Sequence, residues 1–161
     1  MEWEEIYSAE MPRVFNYFRY LLGNDQLAED LTADTFRKAW QHRQRYNRDR
    51  AKFSTWLFTI ARRTAVDYFR CQRAEEPLEA AATLAGAGSP ESKIQFLDEI
   101  SRLATILNRF PNRERQLIAL KFGAGLTHRE IARQMHLTET NISTLLLRVV
   151  RKLHDEWEDE P

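Results

Sequence analysis

The chain has 161 residues, 43% hydrophobic and 30% charged, with as many acidic as basic side chains. This excludes a disordered chain and fits one or two small globular domains. No apolar run approaches the length needed to cross a bilayer, and the acidic start, Met1 to Glu5, lacks the basic-then-apolar pattern of a secretory signal.

A single cysteine, Cys71, forbids an intramolecular disulfide and fits a reducing cytoplasm, the expected location. The zero net charge conceals segregation. Residues 31–72 carry ten Lys and Arg against three Asp and Glu, and residues 100–154 also ten against three. Residues 1–30, 73–99 and 155–161 are acidic, with net charges of −5, −4 and −5. Basic blocks of this size suit a polyanion binder, because each neutralised phosphate releases counterions. Charge alone does not separate that reading from ordinary solvated helix faces.

Taken in order, the elements are all helical. Trp3 to Leu22 carries Ile6, Val14, Phe15, Phe18 and Leu22 at helical spacing. Gly23-Asn24-Asp25 stops that helix and restarts the next. Gln26 to Arg45 has Leu27, Leu31, Phe36, Ala39 and Trp40 on one broad face. Tyr46 to Arg50 is polar, basic and irregular. Ser54 or Thr55 caps a third helix to about Arg70, with Leu57, Ile60, Ala61, Thr64 and Tyr68 facing inward.

The stretch from Arg73 to Ser92 then holds two of the five prolines and two of the five glycines. It reads as a flexible linker over 73–93. Each flanking unit, 1–72 and 94–161, is about 70 residues, near the lower limit for a self-sufficient core.

The second unit repeats the helical pattern. Ile94 to Phe110, Arg113 to Phe122 and the short His128 to Met135 are its first three helices. A last helix runs to about Glu156. Gly123-Ala124-Gly125 is a turn, and Thr127 caps the short helix. No strand pattern appears. The predicted fold is all-α, with two small helical domains.

The clearest motif runs from Leu126 to Ile142. A capped helix with Ile131 and Ala132 inward, a short turn and a second helix with Ile142 inward form a helix-turn-helix pattern. Its second helix would enter the major groove. Thr140, Asn141, Ser143 and Thr144 would point at base edges, with Arg148, Arg151 and Lys152 further along for bases or phosphates. An ordinary helical hairpin uses the same cap and spacing.

Phe110-Pro-Asn-Arg-Glu-Arg-Gln-Leu-Ile-Ala-Leu-Lys-Phe-Gly-Ala-Gly-Leu-Thr-His-Arg-Glu-Ile-Ala132 resembles region 4 of the extracytoplasmic-function (ECF) sigma factors, a subfamily of the sigma-70 family. Ala28-Glu-Asp-Leu-Thr-Ala-Asp-Thr-Phe-Arg-Lys-Ala-Trp40 resembles their region 2.2. Lys52-Phe-Ser-Thr-Trp-Leu-Phe-Thr-Ile-Ala-Arg-Arg63, with Asp67 and Arg70, resembles regions 2.3 and 2.4. The three blocks occur in order on the expected sides of the linker.

The resemblance implies roles. Region 2.2, here with Asp30, Asp34, Phe36, Arg37 and Trp40, docks on the coiled coil of the largest core RNA polymerase subunit. An acidic and aromatic helix face suits a basic coiled coil; core packing is the competing reading, and the preferred one for Phe36. Ala33 stands where the family usually has Gln.

The loop Tyr46 to Lys52 and the following helix resemble the element that opens and reads the −10 promoter DNA. Tyr46 and Asn47 would serve a base, and Arg48, Arg50, Lys52, Arg62, Arg63 and Arg70 would hold phosphates. Arg63 stands where the family often has Asn. Phe53 and Trp56 are assigned to packing, and Asp67 to orienting a neighbouring Arg.

Region 4 implies −35 binding and contact with the flap of the second-largest polymerase subunit. Leu117, Ile118, Leu120 and Phe122 are candidates for that contact, with core packing preferred for most. The second helix of the motif has Ser143, Leu145, Leu147 and Val150 where the family commonly has basic or His residues. Three consecutive leucines, 145–147, exceed one buried face, so at least one is expected outward, giving either a protein contact or weak −35 readout. His136 replaces the common turn Gly and is expected in the left-handed region.

The resemblance also implies an anti-sigma protein between or around the two domains. The acidic tail, Asp155 to Glu160, is expected to be solvated.

No phosphate-cradling loop, metal-ligand cluster or nucleophile–base arrangement is present in the sequence. No catalysis, metal, cofactor or membrane insertion is expected. The leading function is promoter-directed initiation with core polymerase. The alternatives are a polymerase-associated regulator with degenerate promoter readout and a conventional helix-turn-helix regulator.

Overall fold

The computed structural model describes the backbone of residues 2–75 and 91–160, and the side chains of the same residues except 73–75, 91–98 and 100. The centre of the expected linker lies outside the described residues. Helices run into its ends from both sides, up to Glu75 and from Glu91.

Seven α-helices are described: α1 (Trp3–Leu22), α2 (Asp25–Gln41), α3 (Phe53–Glu75), α4 (Glu91–Asn108), α5 (Asn112–Ile118), α6 (His128–Met135) and α7 (Glu139–Asp159). No strand occurs among the described residues. No described helix is long and apolar enough to cross a membrane.

Local chemistry sets most boundaries. Gly23 ends α1 in the left-handed conformation, φ 66°, and donates its N–H to the Arg19 carbonyl at 2.9 Å. One residue on, the Asn24 side chain accepts from the Leu27 N–H at 3.0 Å and caps α2. Thr127 and Glu130 form a reciprocal capping box at α6. His136 closes α6 with φ 57° and ψ 44°, the left-handed role expected of it.

Three boundaries differ from expectation. α2 stops at Gln41, and Arg43–Arg45 forms a separate 3₁₀ turn. α3 starts at Phe53, so Ser54 and Thr55 lie inside the helix rather than capping it. The helix expected over Arg113 to Phe122 is α5 followed by a π-helical turn, Ala119–Gly123.

That π turn explains how the two units meet. Its extra residue per turn lets the Ala119 carbonyl accept from Ala124 N–H at 2.9 Å. Gly123 is thereby brought onto the α1 backbone. A Cβ there would stand 2.8 Å from the Asn16 carbonyl oxygen, so only glycine fits. Beside it, Arg13 Nε donates to the Ala124 carbonyl at 2.8 Å, and Tyr17 Oη donates to Gln116 Oε1 at 2.7 Å. Burial pushes the Tyr17 hydroxyl up, outweighing the opposing effects of Arg62 and Gln116, so it stays a neutral donor.

The result is one continuous core. Val14, Tyr17, Phe18 and Leu21 of α1 and Leu57, Phe58 and Ala61 of α3 join Ile106, Leu107, Leu117, Ile118, Leu120, Ile131, Ile142 and Val149 of the second unit. Burying such an aliphatic or aromatic side chain is worth about 1.5–3 kcal/mol. Units of this size bury little alone, and packing α1 on the π turn adds to both.

The acidic tail is a correction. α7 runs through Asp155 to Asp159, and the chain end folds back on α4. The Arg102 guanidinium stacks 4.1 Å from the Trp157 ring and donates to the Trp157 and Glu160 carbonyls. Arg109 Nη2 pairs with Glu160 at 3.2 Å. Arg102 of α4 and Arg109 just past its end thus draw in the Glu156 and Glu160 carboxylates that composition alone assigned to solvent.

Candidate nucleic-acid interface

Three groups of side chains carry the expected chemistry. The first is on α2. Asp30, Ala33, Asp34, Arg37 and Trp40 recur at helical spacing on the outer side, while Phe36 faces inward. Phe36 is only 5% exposed and its ring meets Tyr7 edge-on at 4.8 Å, so its docking assignment is corrected to core. Trp40 is 46% exposed, unusual for a tryptophan.

Trp40 is held by two residues that pattern reading missed. Trp3 meets it edge-on at 5.1 Å, and the Arg43 guanidinium lies 3.9 Å from its ring. Arg43 Nη1 also donates to the Trp40 carbonyl at 2.8 Å. An exposed tryptophan followed three residues later by arginine was the available signal.

Asp34 accepts from Arg37 and pairs with Lys38 at 3.0 Å. Burial alone would raise its carboxyl, but Arg37 and Lys38 outweigh burial and hold it below its ordinary value. It therefore stays anionic at neutral pH. A depressed value means its stabilising contribution is present above the ordinary carboxylate range and is lost as pH falls through the lowered value.

The second group is the loop after α2 and the outer face of α3. Asn47, Arg48, Arg50 and Lys52 are exposed. Asn47 Oδ1 accepts from the Asp49 N–H at 2.9 Å, bending the loop. Tyr46 Oη donates to the Ala51 carbonyl at 3.0 Å, and its ring packs 5.3 Å from Phe53 and 5.4 Å from Trp56. Phe53 and Trp56 are half-buried, as their packing assignment requires.

On α3, Arg63 and Arg70 are exposed, but Arg62 is not free. Its guanidinium donates to the Gln134 carbonyl of α6. Gln134 in return donates to the Thr55 carbonyl at 2.8 Å. The two units are thus latched across the expected DNA-facing side of α3. A cleft of about 440 Å³ opens there, where Arg62, Arg63, Arg70, Arg133 and His136 gather against one carboxylate, Asp67. Asp67 forms no ion pair with another described residue.

The third group is the helix-turn-helix of α6 and α7. Ile131, Ala132, Ile142, Leu146 and Val149 are buried, holding the pair together. Thr138 caps α7 by accepting from the Asn141 N–H at 3.2 Å. Thr140, Asn141, Ser143, Thr144, Arg148 and Arg151 are exposed. Ser143 Oγ lies 2.9 Å from His128 Nδ1, and Arg129 pairs with Glu139 at 2.7 Å.

Lys152, whose side chain is 42% exposed, has an ion partner within the unit. Its Nζ pairs with Glu114 at 2.9 Å and sits 4.4 Å from the Phe110 ring. It joins α7 to α5. Of the flap candidates, Leu117, Ile118 and Leu120 are buried, whereas Phe122 is 52% exposed. Of the three leucines, Leu146 is buried, Leu145 half-buried and Leu147 exposed.

Among the described residues, no cluster of His, Cys, Asp and Glu could hold a metal ion.

Comparison with known proteins agrees with this arrangement. A family model described as "Sigma-70 region 2" matches residues 6–75. Another, "Sigma-70, region 4", matches residues 100–153. The chain is 31% identical to the ECF RNA polymerase sigma factor BldN of Streptomyces coelicolor, over 92% of this chain and 57% of that one. It is 27% identical to the ECF RNA polymerase sigma factor SigM of Bacillus subtilis, over 93% of this chain and 91% of that one. Its fold resembles the sigma factor RpoE in complex with the anti-sigma factor NepR from Bartonella quintana, with TM-score 0.75, 21% identity and 98% of both chains covered. Two region matches in the right order, and relatives aligned along nearly the whole chain, show that this protein belongs to the ECF subfamily of the sigma-70 family of RNA polymerase sigma factors.

Proposed function

We propose that the chain divides the work of promoter-directed initiation between its two units, in the cytoplasm and without catalysis of its own. Residues 1–72 dock core polymerase and open the −10 region, and residues 94–161 bind the −35 element. The stripe Asp30, Asp34, Arg37 and Trp40 docks on the coiled coil of the largest subunit. Carboxylates give steering and specificity there, and the supported tryptophan supplies a desolvating anchor.

Arg48, Arg50, Lys52, Arg63 and Arg70 hold backbone phosphates of the opening strands, with Tyr46 and Asn47 beside the extruded base. Thr140, Asn141, Ser143 and Thr144 address base edges at −35, while Arg148 and Arg151 reach phosphates. Phe122 is the residue with the exposure a flap contact needs.

The observation that carries the reading is the coexistence, on separate helices of one chain, of a supported exposed tryptophan in an acidic stripe and a capped helix-turn-helix with an exposed hydroxyl face. A conventional helix-turn-helix regulator has no use for the first.

Arg62 joins the cations on the −10 DNA once its bond to Gln134 is released, so full promoter engagement is accompanied by parting of the units. An anti-sigma protein that favours their closed packing would hold the chain inactive. The solved relative bound to an anti-sigma factor supports such a partner.

Run-off transcription tests the proposal. Purified chain added to core polymerase should yield a discrete transcript from a duplex promoter mapped by its start site. Binding to core with no transcript from any such template would overturn it in favour of a polymerase-associated regulator.

A further inference from the structure

The exposed surface of α7 carries two large apolar side chains, Leu147 and Val150, that phosphate binding and hydrogen bonding leave unexplained. Leu147 is 54% exposed, among the most exposed large hydrophobics described. It is not an isolated surface leucine. Thr140, Thr144, Leu147 and Arg151 recur at spacings of four, three and four, on the side of α7 opposite Ile142, Leu146 and Val149.

From Thr140 to Leu147 is about 10 Å along the axis at 1.5 Å per residue, a length of helix that a major groove about 12 Å wide admits. The side chains next to Leu147 favour a polyanion: from Thr140 to His154 α7 has no acidic residue, and Arg148 and Arg151 stand beside Leu147 with exposed guanidinium groups, while Asp155, Glu156 and Asp159 close the C-terminal end of the same groove. A leucine pressed between cations on a reading helix meets base edges, and among those edges the thymine 5-methyl is the apolar group.

Leu147 offers the largest apolar surface on this stripe: Thr140 and Thr144 present single methyls beside their hydroxyls, and Leu145 and Leu146 face the core side. We infer that Leu147 is a specificity residue of the −35 contact, reading the methyl group of a thymine in the major groove. This rests on the assignment of α7 to −35 DNA made above. The isobutyl group gains by burying the methyl. Opposite a cytosine or a purine it would instead cover polar edge atoms without replacing their hydrogen bonds with water.

Uracil in place of thymine removes that methyl and nothing else, which makes the test direct. Holoenzyme formed from this chain and core polymerase selects bound duplexes from a pool randomised upstream of the −10 region. Each thymine of the enriched −35 element is then replaced by uracil. Replacement at one position should weaken binding about fourfold, the effect expected for one buried methyl-sized group. Leu147→Ala holoenzyme should bind the thymine and uracil forms at that position equally, while keeping its preference elsewhere in the element.

An enriched element at which no thymine-to-uracil change matters, or a discrimination that survives Leu147→Ala, overturns the role of Leu147 alone. Loss of core polymerase binding by Leu147→Ala, with unchanged DNA selection, makes the leucine a protein contact and also overturns it. Absence of any enriched −35 element overturns the underlying assignment of α7 and this inference with it.

Discussion

The two units handle charge differently. In the N-terminal unit the cations proposed for DNA lie mostly in the open, on an irregular loop and one face of α3. In the C-terminal unit several cations have partners within the unit. Lys152 is held by Glu114, Arg129 by Glu139, and Arg102 and Arg109 bind the chain end. The contrast shows that a segment's net charge does not measure its DNA contact. Displaced single strands call for many free cations. A duplex reader needs few phosphate contacts and a shaped face of small hydroxyls and methyls.

The difference can be broken at several points, starting with the largest expected effect. Trp40→Ala should lower core polymerase affinity tenfold or more, as removal of a central aromatic anchor does. Fluorescence anisotropy with labelled chain would measure it. An effect below twofold would move docking away from the α2 stripe.

Gly123→Ala attacks the joint between the units. Its Cβ meets backbone, which cannot rotate away, so the cost should be about 1–3 kcal/mol. Small-angle scattering should show a larger radius of gyration with helicity unchanged by circular dichroism. An unaltered profile would mean that the π turn and α1 do not hold the closed form together.

The smallest effect concerns the turn between α6 and α7. His136→Gly removes the strain of a side chain in the left-handed region. It should stabilise the chain by about 0.5–1 kcal/mol, partly offset by glycine's unfolded-state entropy. A fall in thermal midpoint would show that the imidazole makes a contact worth more than the strain.

Much of this was legible in sequence because it is local. α1, α6 and the left-handed His136 follow from spacing, a capping box and a missing glycine, all decided within a few residues. Phe36 and Trp40, four residues apart, share one side of α2, so spacing grouped them on one broad face; only the position of the core, which buries Phe36 and leaves Trp40 at the rim, separates them. The π turn could not be read. It depends on Gly123 meeting Asn16 and Tyr17, more than a hundred residues earlier, and no local propensity encodes that contact. The latch of Arg62 on Gln134 was hidden for the same reason, as were the ties from Arg102 to Trp157 and Glu160. An arginine's sequence position shows its charge but not its partner.

The central claim is that the N-terminal unit opens the promoter through its loop and α3, separately from docking. Single-round transcription by Arg48→Ala/Lys52→Ala holoenzyme, compared on a duplex promoter and on the same promoter with a pre-opened −10 bubble, tests it most directly. The account predicts a strong defect on the duplex and near-complete recovery on the bubble, with core binding unchanged. An equal defect on both templates would contradict it, since cations that act in strand opening have no step left to impair once the strands are already apart.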